Sequence, residues 1–274
     1  WSDFGKPKGG AVEIRVQAAE KEFMDITLVA HGFGGHASIP RTDNAVISLA
    51  RAVARLGEFR APAELNAVAR GFLQRQAGLS MPDLRQAIEK VLKASLGKEL
   101  NEAADQLTAL NPEFGAMLRD TLTPTILTAG YKSNVIPSQA RAVLNARFLP
   151  GRDPVVFVNQ LAPVLEDPAI EILFDPPSRA PVGPMPINTE LYGAVEAVAS
   201  EMAPNVPMMP FMAAWTTDSQ DLRARGVIVY GIDPPLSNED AERVHGKDER
   251  IALDALDFYV EFLLKIVLKT AGKN

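Results

Sequence analysis

The chain has 274 residues, of which 47% are hydrophobic and 23% charged, with a formal net charge of -6 and no cysteine. That length holds one large domain or two ordinary ones, and the mixture is that of a folded globular protein. Lys and Arg are scattered along an acidic chain, which argues against nucleic acid as a partner, and the missing thiols exclude disulfides and thiolate metal sites, so any zinc would need His and carboxylate ligands.

The opening WSDFGKPKGG lacks the apolar centre of a signal peptide. Strict alternation over Ala11 to Ala18 predicts a half-buried strand, and Met24, Ile26, Leu28 and Ala30 predict a second one leading into the glycine-rich loop HGFGGHASIP. Asp43 or Asn44 can cap the next helix, whose apolar positions are Val46, Leu49, Ala50, Val53 and Leu56. From Ala61 to Leu118 the pattern is helical throughout and is read as an insertion of three short helices.

Strands resume over Thr123 to Gly130 and Gln139 to Leu149; in the latter, Ala140, Ala142, Leu144, Ala146 and Phe148 share one face while Arg141, Val143, Asn145 and Arg147 share the other. Asp153-Pro154 starts a helix through Leu165, and Ala169 to Phe174 is a further strand. Strand, helix, strand, strand, helix, strand is the ferredoxin-like order. The proline-rich DPPSRAPVGPMP then marks a domain boundary, since such a segment cannot pair into a sheet. Beyond it a helix over Thr189 to Met202, a buried strand over Val227 to Ile232 and a last helix from about Asp248 to Ala271 give an α/β character. The longest apolar tract, Phe258 to Leu268, is interrupted by Glu261 and Lys265 and does not suit a membrane span.

Four short stretches could carry chemistry. His36 follows Gly32, Gly34 and Gly35 at the mouth of a helix, where it suits either a binding loop or a plain strand-to-helix turn. Asn134 lies in the hairpin tip YKSNVIP, where Asn is also a common turn former, and Arg147 sits within a strand where a guanidinium could grip a carboxylate or simply face water. Thr217, Asp218 and Ser219 open a short helix; its backbone amides could receive an anion, or Asp218 or Ser219 could be the cap. His245 lies in a polar loop of the α/β part, as a metal ligand or an exposed side chain.

Their order is more specific than any one of them. GGHASIPRTDNAVISLARAVARL, GYKSNVIPSQARAVLNARFLPGRD, TTDS and RVHGKDERI together resemble the zinc-dependent amidohydrolase and exopeptidase family of carboxypeptidase G, carboxypeptidase S, aminoacylase and succinyl-diaminopimelate desuccinylase, with the helical insertion most like the carboxypeptidase S branch. The resemblance implies a ferredoxin-like lid and dimerisation domain with a helical insert over residues 22–178, flanked by a catalytic-domain strand in 1–21 and the C-terminal part of a zinc-peptidase α/β domain in 179–274. It implies a homodimer in which His36 reaches the partner's site to stabilise an oxyanion, Asn134, Arg147 and the Thr217, Asp218, Ser219 segment bind substrate, and His245 is a metal ligand. His31 matches nothing functional. Where relatives often carry glycines this chain has Ala213, Ala214 and Trp215, and Gln220 stands where an Arg is common.

The family's N-terminal half holds two zinc ions through further His, Asp and Glu residues. The resemblance therefore implies that this chain is the C-terminal portion of a longer enzyme hydrolysing peptides or N-acyl amino acids, inactive alone. A non-catalytic dimerisation module and a regulatory small-molecule domain are the alternatives.

Overall fold

The computed structural model describes residues 13–177, 179–236, 240 and 243–272. The opening segment and the first two residues of the predicted first strand lie outside them.

Strand β1 (Ile14–Glu20) and strand β2 (Glu22–His31) are separated only by Lys21 yet belong to different sheets. The prediction of a half-buried β1 is corrected: Glu13 and Gln17 are buried as well as Ile14 and Val16, because packed layers cover both faces. After the two-residue strand β3 (Gly35–His36), helix α1 (Ala45–Glu58) begins at Asn44, whose side chain accepts from the Val46 amide at 2.9 Å. Its buried stripe is Ala45, Leu49, Ala52 and Leu56, so the helix is rotated from the predicted face and Val46 and Ala50 are exposed. Small Ala45 and Ala52 let the helix sit close on the sheet, which decides the face over side-chain size alone.

The insertion contains four helices, one more than predicted: α2 (Ala67–Leu79), α3 (Pro82–Lys93), α4 (Lys98–Leu110) and α5 (Pro112–Ala116). The chain continues through β4 (Thr121–Ala129), β5 (Val135–Ile136), β6 (Gln139–Phe148), α6 (Pro154–Leu165) and β7 (Ile170–Phe174). Strands β4, β6, β2 and β7 form one antiparallel sheet in that order, the ferredoxin-like arrangement, with α1 and α6 over one face. Ala140, Ala142, Leu144, Ala146 and Phe148 fill that covered face, as the alternation predicted. The other face, bearing Arg141, Asn145 and Arg147, is open.

Past the proline-rich segment come α7 (Glu190–Met202), β8 (Met208–Ala213), α8 (Ser219–Arg223) and α9 (Leu253–Ala271). Strand β8 pairs in parallel with β1. The predicted strand over Val227 to Ile232 does not form; Gly231 alone bridges Gln17, and Val227 and Ile228 are exposed. The run finds no second ladder partner there. The last helix starts later than predicted, with Asp254 in its first turn and Lys269 in its last, matching the dipole.

The helices of the insertion do not pack on the four-stranded sheet's core. Phe72, Leu73, Ile88, Val91, Leu100 and Leu107 share a cluster with Ala18 and Ala19 of β1 and Phe211 and Met212 of β8. A third cluster joins Ile14 and Val16 to Val195, Val198, Phe262 and Ile266 of α7 and α9. No helix among the described residues is long and apolar enough to cross a membrane.

Candidate functional site

The structure sorts the sequence-predicted residues into groups. His36 and Asn134 come together at the far end of the four-stranded sheet: β3 pairs with β5, Gly35 opposite Ile136 and His36 opposite Val135, and the Ala37 amide donates to the Asn134 carbonyl at 3.1 Å. Gly32 makes the loop possible, since a Cβ there would lie 2.1 Å from the Asp43 carbonyl oxygen. His36 is exposed, and its Nδ1 accepts the Ser38 amide at 3.2 Å with the Ser38 hydroxyl 2.7 Å away. A neutral imidazole accepting at Nδ1 carries its proton on Nε2, so the ring presents a donor outward. His31 sits nearby in a 3.2 Å pair with Glu171 across β2 and β7.

Arg147 and the Thr217 segment lie at the opposite end. Arg147 pairs in register with Phe23 of β2 and Thr121 of β4, next to Lys21, whose carbonyl accepts the Thr216 hydroxyl at 2.6 Å. From Gln139 to Arg147, at about 3.4 Å per residue, is roughly 27 Å. Arg147 donates through Nε to Asn145 Oδ1 at 2.7 Å and stands over the Phe23 ring, its carbon 4.8 Å from the centroid. Burial lowers its pKa from the usual arginine value, and Asp25 opposes that shift. Among the described residues no hydrogen bond or ion pair reaches its two terminal nitrogens. Phe23 and Asp25 also line an open cavity of about 630 Å³ with Thr27, Leu173, Pro177 and Arg179.

The Thr217 segment is held by buried charge. Thr217 donates its hydroxyl to Glu20 Oε2 at 2.7 Å and accepts the Ser219 amide at 3.2 Å, so that oxygen is already engaged. It also performs the local capping foreseen for Asp218 or Ser219: Asp218 stands at the cap position but its side chain makes no capping bond. Gln220, in the position where an Arg is common in the resembled family, is buried with its Nε2 3.4 Å from the Glu20 carbonyl. Trp215 packs on Phe211 at 5.9 Å between centroids.

Lys21 escaped sequence reasoning. Its side chain is fully buried at the crossing between β1 and β2, its Nζ 3.2 Å from Thr121 Oγ1. Burial brings its pKa down to about 7, with Asp120 opposing and Arg147 reinforcing the fall. A single lysine after alternating strand residues carries no sequence signal of such burial.

His245 lies on an exposed turn with φ +63°, its amide 3.3 Å from Glu249 Oε2. Among the described residues no three His, Asp or Glu side chains converge as a metal site, so these residues alone do not fit a zinc ion.

Comparison with known proteins agrees with the sheet. The chain is 26% identical over 269 residues to an N-fatty-acyl-amino acid synthase/hydrolase, PM20D1, of Xenopus tropicalis, covering 94% of this chain and 50% of that protein. It is 26% identical over 259 residues to a probable carboxypeptidase S-like protein of Dictyostelium discoideum, covering 93% and 48%. The chain thus spans about half the length of the curated relatives it matches. Among solved structures, an M20 family metallo-carboxypeptidase from Sulfolobus solfataricus superposes with TM-score 0.61 at 17% identity, covering 94% of this chain and 60% of that one. The aminopeptidase PepT of Bacillus cereus gives 0.59 at 11%, covering 96% and 56%. The family model for the M20 peptidase dimerisation domain matches residues 18–172, which takes in β2, β4, β6 and the start of β7, the two helices over the sheet and the insertion. The chain belongs to the M20 peptidase dimerisation-domain family.

Proposed function

We propose that this chain is the lid and C-terminal part of a longer M20 hydrolase that cleaves the amide bond of peptides or N-acyl amino acids, working as a homodimer. Residues 22–178 carry the lid and its insertion, whose helices pack on strands of the catalytic body, to which 1–21 and 179–274 belong. The observation that carries the reading is the Arg147 guanidinium, tethered through Nε on an open sheet face with neither terminal nitrogen hydrogen-bonded among the described residues. Such a fork suits a substrate carboxylate.

His36, with an outward Nε2 donor, stabilises the negative charge that develops on the scissile carbonyl oxygen, a contribution of typically ~3 kcal/mol per donor. Asn134 lies beside it and steadies the same carbonyl. Both sit too far along the sheet to share a small substrate with Arg147 of their own chain, so they serve the partner subunit's site. Asp218, Ser219 and the backbone at Thr217 border the carboxylate end. His245 contributes one ligand to a zinc centre completed by residues outside this chain. A row of exposed apolar residues on α9, Leu256, Val260, Leu264 and Val267, is the face that a further part of the catalytic body would cover.

The test uses the complete gene product with zinc and a panel of N-acyl amino acids and dipeptides. His36→Ala should lower kcat by about 100-fold with zinc content unchanged. Arg147→Ala should raise KM about 10-fold or more for carboxylate substrates and leave their amidated counterparts unaffected. A zinc-free, inactive product of any length that nevertheless dimerises would leave only an assembly module.

A further inference from the structure

The open face of the sheet carries a short series of contacts that ends on Arg147. Asn145 and Arg147 alternate onto this face of β6, and the register sets Asp25 opposite Asn145 and Phe23 opposite Arg147. Asp25 Oδ1 accepts from Asn145 Nδ2 at 2.8 Å, and Asn145 Oδ1 accepts from Arg147 Nε at 2.7 Å. An ionised carboxylate can only accept, so Asp25 draws the NH2 group of the Asn145 amide toward itself and leaves the amide oxygen aimed at the guanidinium. The Phe23 ring covers one face of that guanidinium and limits its tilt.

A guanidinium can grip a carboxylate side-on, through Nε and one terminal nitrogen, or end-on, through both terminal nitrogens. Asn145 occupies Nε, so only the end-on approach is left. We propose that Asp25 and Asn145 are positioning residues that, with Phe23, hold Arg147 for an end-on, two-pronged grip of the substrate's carboxylate. This rests on the reading of Arg147 as the carboxylate anchor. Neither residue needs to touch substrate. Their effect is to remove the rotational freedom a lone surface arginine would lose on binding.

Two measurements decide it. In protein labelled with 15N-arginine, the Arg147 Nε–H should exchange with solvent about 10-fold more slowly than that of exposed Arg141, as expected for a proton held in a hydrogen bond, and Asn145→Leu should abolish the difference. An unprotected Nε–H in the wild type overturns the proposal, and this measurement needs no turnover. In the zinc-loaded complete enzyme with N-acetyl-L-leucine as substrate, Asn145→Leu and Asp25→Ala should each raise KM about 10-fold and change kcat by less than about twofold. The exchange of both, Asp25→Asn with Asn145→Asp, should return KM to within about threefold of wild type, because the new Asp accepts from both neighbours. If Arg147→Ala raises KM and Asn145→Leu does not, the positioning proposal fails alone. If Arg147→Ala leaves KM unchanged, the anchor reading fails and takes the proposal with it. A fall in kcat matching the rise in KM, unrepaired by the exchange, marks a purely structural role and also overturns it.

Discussion

Glu20 and Arg223 face each other at 3.1 Å with essentially no side-chain exposure on either. Glu20 Oε2 also accepts from Gln17 at 2.8 Å and Thr217 at 2.7 Å, and Arg223 donates to the carbonyls of Gln17 and Val229 at 3.2 and 2.9 Å. The pair thereby links the Thr217 hydroxyl and the Val229 carbonyl to the end of β1.

Glu20→Ala should therefore cost about 3–5 kcal/mol, the usual penalty for stranding one buried charge of a pair. Urea unfolding of the variant measures it. A loss below about 1 kcal/mol, as for an exposed pair, would show that the Arg223 charge finds water or another partner.

Lys21 sets a pH dependence of definite sign. The unfolded chain keeps the Lys21 proton up to about 10.5, whereas burial makes the folded protein release it near 7. Between those values unfolding takes up a proton, so stability rises with pH, by up to about 1.4 kcal/mol per unit from this group. Below 7 the cost of the buried ammonium is fully present. Lys21→Met should stabilise the protein at pH 6, and the gain should shrink steadily toward pH 10. Denaturant midpoints at several pH values check this; an advantage independent of pH would refute it.

Two glycines should respond oppositely to alanine. At Gly32 the added carbon meets the Asp43 carbonyl oxygen at 2.1 Å, so the loop bearing His36 must move, at a cost of about 1–3 kcal/mol. At Gly57, inside α1 with open space around it, the same change should stabilise by about 0.5–1 kcal/mol. Thermal unfolding of both variants gives the comparison, and equal effects would contradict the close approach at Gly32.

Strand β4 lies at the edge of the four-stranded sheet and exposes Ile126 and Leu127, and Pro124 within it donates no ladder hydrogen bond. If the lid dimerises along this edge, Leu127→Lys should shift the protein from dimer to monomer in sedimentation velocity at micromolar concentration. A dimer untouched by the substitution would move the interface elsewhere.

The alternation in the 139–149 segment made the covered face of β6 legible residue by residue, and capping chemistry placed the start of α1 at Asp43 or Asn44, of which the structure uses Asn44, and that of α6 at Asp153. The order of elements was likewise enough for the ferredoxin-like sheet. What escaped depends on register and on contacts distant in sequence. Asp25, Phe23 and Asn145 become a group only once β2 is aligned against β6, and Glu20 meets Arg223 across the fold. The apolar run at Val227 looked like a buried strand because composition alone cannot reveal whether a neighbouring ladder exists to receive it.

The length of the lid sheet has a consequence for genetics as well as chemistry. On the proposed assignment, a His36→Ala chain and an Arg147→Ala chain are each strongly impaired as homodimers on a carboxylate substrate held well below KM, yet a mixed pair contains one centre with both residues intact. Random re-pairing makes half of the dimers mixed, each with one working centre of two, so at such substrate levels a blend of two impaired proteins should recover about a quarter of wild-type turnover. Such intragenic complementation is open only to an enzyme whose groups are split between neighbours.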